Sequence, residues 1–260
     1  MVLTKRAKGN LLKLFLLYVY FGIVVVVGLC LKLNFLQFAF AFFGIPSIYF
    51  AVNLKGYGKK IEIEATILGF FMVFVFDLIA HSSNSWYVPG VLGMRVLGKF
   101  PIDEFVFAFF YLFAIFTLYG TFFDKSKIKK ISKSFKKLVY FGSFLLLLVL
   151  ILHTVSPQLL EVPYFYLFMI MIFLITTAVG FACYPKIAGK ISLLSTYLFL
   201  PAIAYELVAL ELGHWYFEKG YHIGYVNILN YSFPLEELFF FPLAVTSILV
   251  LHEAFGDNKR

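Results

Sequence analysis

Charged residues are scarce in this chain of 260 residues, of which they make up 14%, whereas hydrophobic residues make up 62%. Soluble globular domains carry about 25% charged residues, so the composition excludes that class. Cysteine is scarce too: Cys30 and Cys183 are the only two, and they fall in separate apolar runs. We therefore expect two buried thiols, and neither a disulfide nor a pair of metal ligands.

Sequence motifs for cofactors are also missing. There is no glycine-rich loop for a dinucleotide or a phosphate. The five histidines include no pair four residues apart, and Glu211 with His214 is a lone metal-like spacing, too little for a di-iron site. Between Lys190 and Lys259 the only lysine is Lys219, in a loop, so a retinal Schiff base has no attachment point in the last two apolar runs. The sequence predicts no cofactor and no metal.

Long apolar runs dominate the sequence. About 20 apolar residues in a helix cross a hydrocarbon core of about 30 Å. We therefore predict an all-α integral membrane protein with about eight transmembrane helices, although seven remain if one run does not cross. The first run lacks a small-residue cleavage site and is predicted to be a retained helix. The predicted spans are 11–31, 35–53, 62–82, 102–122, 138–156, 163–184, 191–212 and 234–252.

The net charge of +8 does not indicate binding to nucleic acid, because the positive charges are distributed unequally between the loops on the two sides of the membrane. With a cytoplasmic N-terminus, all but four of the 22 lysines and arginines lie in inner segments; the outer ones are Lys32, Arg95, Lys99 and Lys219. This asymmetry predicts a multi-pass protein of the cell membrane with both termini in the cytoplasm. The basic run 125–137 is predicted to lie against anionic lipid headgroups.

One pattern of residues occurs twice. An acid lies inside an apolar run, a tryptophan follows nine residues later, and after a loop a proline opens the next run, with acids two and three residues beyond it. The two sets are Asp77, Trp86, Pro101, Asp103 and Glu104, and Glu206, Trp215, Pro234, Glu236 and Glu237. Four spans separate the copies, so we predict a tandem repeat with both copies in the same orientation and both acidic clusters at the outer face.

The repeat divides the chain into four segments: a first helix over 1–34, repeat 1 over 35–124, a basic inner loop and connecting helix over 125–162, and repeat 2 over 163–260. Glu62 and Glu64 open the third run, where acids are ordinary partners of the helix dipole.

The repeated acids are candidates for chemistry. Proline followed by acids begins many helices, but duplication together with an upstream acid favours a function. An ionisable group within a span usually faces a bundle interior or a cavity. Desolvation and a second carboxylate raise a carboxyl pKa, whereas a helix N-terminus lowers it, so such acids suit general acid and base catalysis. Neighbouring helical residues point about 100° apart, which favours Glu104 and Glu237, identical in both copies, as the acids facing a cavity.

Aromatic residues surround these acids, with 35 phenylalanines in the chain. Most are expected to pack or to face lipid. Those lining a cavity would suit a conjugated apolar ligand and would stabilise a carbocation with their ring faces.

At these residues the sequence resembles the membrane-embedded lycopene cyclases of bacteria, archaea and fungi, which occur as fused or heterodimeric tandem domains. Each domain of that family carries an acid within a span, a tryptophan beyond it and a Pro-x-Glu-Glu motif that opens the next span. The second copy here departs from the pattern at Glu206, where the family more often has Asp, and the first copy departs at Asp103, where it has Glu.

The resemblance implies cyclisation of the linear ψ ends of lycopene to β-ionone rings, giving β-carotene or γ-carotene without net redox change and without a flavin. It implies Glu104, Glu237, Asp103 and Glu236 as catalytic residues. It implies Asp77, Glu206, Trp86, Trp215, Pro101 and Pro234 as cavity or supporting residues. The implied partners are lycopene or a related linear carotenoid, membrane lipids and other carotenoid enzymes. Two alternatives remain open: a carotenoid end-group hydratase, and a proton-coupled transporter or lipid-binding membrane protein.

Overall fold

A computed structural model describes residues 5–54, 56–124, 130–217 and 221–257. Eight helices in this part of the chain are long and apolar enough to cross a membrane, as predicted. They are α1 Lys5–Leu31, α2 Phe35–Val52, α3 Tyr57–Ser82, α4 Asp103–Phe122, α5 Phe135–Val155, α6 Phe165–Cys183, α7 Pro185–Glu211 and α8 Glu236–Leu251, which continues as the π-helical turn His252–Asp257. The chain is therefore an all-α multi-pass membrane protein.

The helices pack around α8. It contacts α6 and α7, while α3 packs on α4 and α1 packs on α7. In the most apolar part of α8, 56% of the residues are buried, whereas in the corresponding part of α5 only 11% of the residues are buried. Helix α5 therefore lies at the edge of the bundle, and α8 lies at its centre.

Two of the helices contain π-helical turns that the sequence did not predict. In α2 the turn Phe40–Gly44 precedes Pro46, which has no amide hydrogen to donate to the carbonyl of Phe42. In α3 the turn Val73–Asp77 ends on the acid of the first copy. A π turn shifts the phase of the side chains that follow it, so it helps to decide where Asp77 points.

The two prolines of the repeated motif do not lie in helices. Pro101 ends β2 (Phe100–Pro101), which pairs with β1 (Arg95–Val96), and Pro234 ends β4 (Tyr231–Pro234), which pairs with β3 (Tyr225–Ile228). The prediction that they open spans is wrong. Each antiparallel hairpin instead feeds into a helix whose first residue is the first acid of the pair.

The loops that carry the two tryptophans are joined by backbone hydrogen bonds. The amide of Tyr87 donates to the carbonyl of Tyr216 at 2.8 Å, and the amide of Tyr216 donates to the carbonyl of Tyr87 at 2.9 Å. Trp86 and Trp215 immediately precede these residues, so the two loops lie side by side.

The structure also bears on the predictions for the two cysteines and for the basic residues of the loops. The prediction of buried thiols is wrong, because both Cys30 and Cys183 are exposed on the outside of the bundle as free cysteines. Residues 125–129 of the basic run lie outside the described residues, as does Lys219.

A buried polar cluster lies at the end of the bundle opposite the hairpins. The imidazole Nδ1 of His252 donates to Oε2 of Glu64 at 2.8 Å, and Nζ of Lys60 is 3.8 Å from Oε1 of the same carboxylate. The hydroxyl of Tyr57 lies 3.2 Å from Nε2 of His252. The interpretation of Glu64 as a partner of the helix dipole is wrong, because α3 begins at Tyr57 and Glu64 is fully buried in its second turn.

The same cluster extends to α4. The hydroxyl of Tyr119 donates to the carboxylate of Glu253, and both side chains are buried. These contacts hold the π-helical turn His252–Asp257 against α3 and α4.

Candidate active site

Two adjoining cavities lie among α3, α4, α7 and α8. The first has a volume of about 130 Å³ and is lined by Asp77, Glu206 and Glu237. The second has a volume of about 100 Å³ and is lined by Asp77 and Glu104. Asp77 and Phe107 line both, so the two spaces meet there. We call them the acid-lined cavities.

Asp77, Glu104 and His81 form the acid group of the first copy. The Asp77 and Glu104 side chains line the same cavity, and the Asp77 side chain is partly exposed. Nε2 of His81, one turn along α3, is 2.8 Å from Oε1 of Glu104, and both side chains are buried. Oε2 of Glu104 has no hydrogen-bond partner among the described residues. The arrangement combines two carboxyl groups with one imidazole that can hold a proton.

Glu206 and Glu237 form the acid group of the second copy, and its partners are different. Nε1 of Trp215 donates to Oε1 of Glu206 at 3.0 Å. Tyr166, from α6, lines the same cavity as Glu237. The two carboxyl groups are close enough to interact electrostatically, and no imidazole or amine accompanies them in these contacts. In the described part of the chain, Oε2 of each carboxyl group lacks a hydrogen-bond partner.

The loop after α7 fixes the position of Trp215. His214 packs between the rings of Phe35 and Phe38, and its Nε2 lies 2.9 Å from the carbonyl oxygen of Leu33. Burial lowers the pKa of His214, against the opposing effect of that hydrogen bond. The neutral ring with a proton on Nε2 therefore donates to Leu33 at neutral pH, and the loop is held to the start of α2.

Aromatic rings form most of the remaining walls. The ring centroids of Trp86 and Tyr166 are 5.3 Å apart. The ring centroid of Trp215 lies 5.9 Å from that of Phe107 and 5.7 Å from that of Tyr205. Such rings offer negative quadrupole faces to a cation and exclude water from the space they enclose. The acids therefore border cavities whose remaining walls are largely aromatic.

The two acids of the first pair face in different directions. Oδ1 of Asp103 accepts hydrogen bonds from the amides of Val91 at 2.9 Å and Leu92 at 3.3 Å, away from the cavities. Gly90, with a φ of +76°, brings this loop so close that a Cβ there would lie 2.6 Å from Pro101 and 3.2 Å from the carboxylate. Asp103 therefore anchors the loop that precedes the hairpin.

The second pair is divided in the same way. Oε1 of Glu236 accepts from the amide of Ile223 at 2.7 Å, and Nδ1 of His222 lies 3.9 Å away. Glu237 faces the first acid-lined cavity. In both pairs the first acid bonds to the loop and the second borders a cavity.

The structure thus places the predicted site residues in two sets. Those that line the acid-lined cavities are Asp77, Glu104, Glu206, Glu237, Trp86 and Trp215. Those that do not are Asp103, Glu236, Pro101 and Pro234, which belong to the hairpins and their anchors.

Sequence reasoning missed His81 and Tyr166. A signal existed for His81, because it follows Asp77 by four residues and therefore shares its helix face. Tyr166 has no such signal: it lies on α6, distant in sequence from the acid it faces, and only tertiary packing brings it there.

A metal site is not indicated in the described part of the chain, where no group of three or more His, Cys, Asp or Glu side chains is arranged to hold an ion. No protein-family model, no curated protein and no solved structure matches this chain.

Proposed function

We propose that the chain is a membrane-embedded lycopene cyclase that closes the ψ ends of lycopene to β-ionone rings without a redox cofactor. The observation that carries the proposal is the convergence of four carboxyl groups, Asp77, Glu104, Glu206 and Glu237, on two adjoining cavities with aromatic walls. An acid–base isomerisation of a hydrocarbon needs a proton donor, a proton acceptor and protection from water. The carboxyl groups are candidates for the first two, and the aromatic walls support the third.

The proposed reaction is an isomerisation in which no atom is gained or lost. A protonated carboxyl, Glu104 or Glu237, adds its proton to the terminal double bond and leaves a tertiary carbocation. The internal alkene attacks this cation and closes the ring. A neighbouring carboxylate then removes a ring proton, so the enzyme ends with the number of protons it began with. The cavity walls would hold the substrate in a folded conformation, which keeps the cation and the internal alkene close together. Ring faces such as those of Trp86 and Trp215 would stabilise the cation.

The proposal includes the arrangement of the chain in the membrane. Residues 35–124 and 163–260 would be two copies in the same orientation, with the acid pairs toward the outer face and both termini in the cytoplasm of a cell whose membrane holds the substrate. Parallel features support this: each copy has a hairpin, a helix that starts with an acid pair, and a first acid bonded to the loop before the hairpin. Membrane lipids and other carotenoid enzymes are the proposed partners.

Pigment analysis of a lycopene-accumulating host that expresses the chain tests the proposal. We expect β-carotene or γ-carotene to appear at the expense of lycopene. Hydroxylated linear pigments would instead indicate that water captures the same cation, as in an end-group hydratase. Unchanged lycopene together with proton-coupled uptake in vesicles would indicate a transporter.

Replacing His81 with Phe is expected to lower ring formation about ten- to hundredfold, because a hydrogen bond to a charged group contributes about 1.5–3 kcal/mol and Oε1 of Glu104 would lose its imidazole partner. Pigment yield per amount of folded protein measures the effect. His153→Phe, on α5 and outside the lining of the acid-lined cavities, is the matched control. Equal yields from the two variants would remove His81 from the site.

Replacing Asp103 with Ala is expected to affect stability more than chemistry. The variant loses the hydrogen bonds to the Val91 and Leu92 amides, at a cost of about 1–3 kcal/mol, while Glu104 keeps its place in the second cavity. Thermal unfolding in detergent and pigment yield are measured together, with Glu104→Ala as the comparison. If Asp103→Ala stops ring formation in folded protein, Asp103 acts in the reaction and not only on the loop.

A further inference from the structure

A third space, farther from the hairpins along the helices, borders the acid-lined cavities. It has a volume of about 220 Å³ and lies between α3, α5, α6 and α8. Its lining includes Met72 and Phe76 of α3, Leu145 of α5, Thr176 of α6 and Leu251 of α8. We call it the α5 groove, because that loosely embedded helix forms its outer wall.

The α5 groove shares lining residues with the second acid-lined cavity. Met72 and Phe76 line both the groove and the second cavity. The rings of Phe76 and Phe173 are 6.2 Å apart, and Phe173 is 5.7 Å from Phe240, which lines both cavities. Phe76, Phe173 and Phe240 thus form an aromatic partition between the groove and the acid-lined cavities.

The lining of the groove fits a hydrocarbon. Apart from the hydroxyls of Thr176 and Ser247, its described lining residues have apolar side chains, and the Ser247 hydroxyl donates to the carbonyl of Ala244 at 3.1 Å. Burying an unpaired polar group there would be costly. The occupant therefore has no polar group along this part of its length.

The occupant must also be long. Glu237 lines the first cavity near the start of α8 and Leu251 lines the groove near its end, a separation of about 21 Å at 1.5 Å per residue. The acid-lined cavities, at about 130 and 100 Å³, hold an end group but not the rest of a tetraterpene. A linear polyene with one end at the acids would extend in the direction of the groove.

We propose that the α5 groove binds the linear polyene chain of the substrate while one ψ end group occupies the acid-lined cavities. This inference rests on the proposed function for the identity of the end group. It predicts that the enzyme selects substrates by chain length, because the groove contributes binding only to a chain that reaches beyond the aromatic partition.

The test fills the groove with Thr176→Phe and, as a second variant in case the first fails to fold, Leu145→Phe. The matched controls are Ile175→Phe and Leu147→Phe, whose positions lie one and two residues from the test positions on the same helices but are exposed on the outside of the bundle. Each protein in lipid nanodiscs is titrated with lycopene, and binding is followed by quenching of the two tryptophans, Trp86 and Trp215, which line the first cavity. Turnover of lycopene and of a short acyclic terpene with the same end group is measured in parallel.

Each groove-filling variant is expected to raise the half-saturating lycopene concentration about tenfold or more, equivalent to one unit of the logarithm of Kd, and to keep turnover of the short terpene. The controls are expected to match the unaltered chain. Lycopene binding that groove filling leaves unchanged would overturn the inference. Groove-dependent binding without any cyclic product would uphold the groove and refute the proposed function, whereas no binding of lycopene by the unaltered chain would refute both.

Discussion

Glu237→Gln is expected to reduce ring formation from lycopene by about 10²–10⁴-fold, the usual contribution of a general acid or base, while the protein accumulates at its normal level. The amide has nearly the shape of the carboxyl group but cannot deliver or accept the reacting proton. Glu237 borders the first acid-lined cavity beside Glu206 and Tyr166, so the substitution changes chemistry at the cavity wall with little change in volume. Pigment extraction and a blot of the membrane fraction measure the two quantities.

Glu161→Gln is the control for this prediction, since Glu161 is exposed in the turn before α6 and outside the lining of the acid-lined cavities. It is expected to give the same pigments as the unaltered chain. Full β-carotene from Glu237→Gln would exclude Glu237 as the proton donor and leave Glu104 as the candidate.

Glu64→Ala is expected to destabilise the fold by about 3–5 kcal/mol, the usual cost of removing one partner from a buried ion pair. Lys60 would lose its carboxylate partner, and His252 would lose the acceptor 2.8 Å from its Nδ1. The π-helical turn His252–Asp257 would then lose one of its contacts with α3. Thermal unfolding in detergent, followed by size-exclusion chromatography, measures the change.

Glu62→Ala tests whether the effect belongs to the buried cluster. Glu62 lies two residues away on the same helix but is exposed, so its removal is expected to change stability by less than about 0.5 kcal/mol. Equal destabilisation by both substitutions would mean that the loss of stability does not come from the buried cluster.

The candidate site shows how far helix geometry predicts which acids border a cavity. Adjacent acids on a helix point about 100° apart, which is why the sequence favours one acid of each pair, and the structure places Glu104 and Glu237 at the cavities while Asp103 and Glu236 bond to loop amides. Their catalytic role stays a prediction. The hairpins were not predictable, because Pro101 and Pro234 are as compatible with a first helical turn as with the end of a short strand.

The sequence by itself determined the all-helical membrane class and the eight apolar helices, since hydrocarbon requires backbone groups to be satisfied within each span. It also marked the acids, because an ionisable group in an apolar run is costly enough to be informative. Only the tertiary structure decided that Asp77, Glu104, Glu206 and Glu237 border adjoining cavities, that His81 and Tyr166 accompany them, and that Glu64 belongs to a buried cluster at the other end. These facts depend on helix rotation and on contacts between distant segments, which the local pattern of residues does not encode.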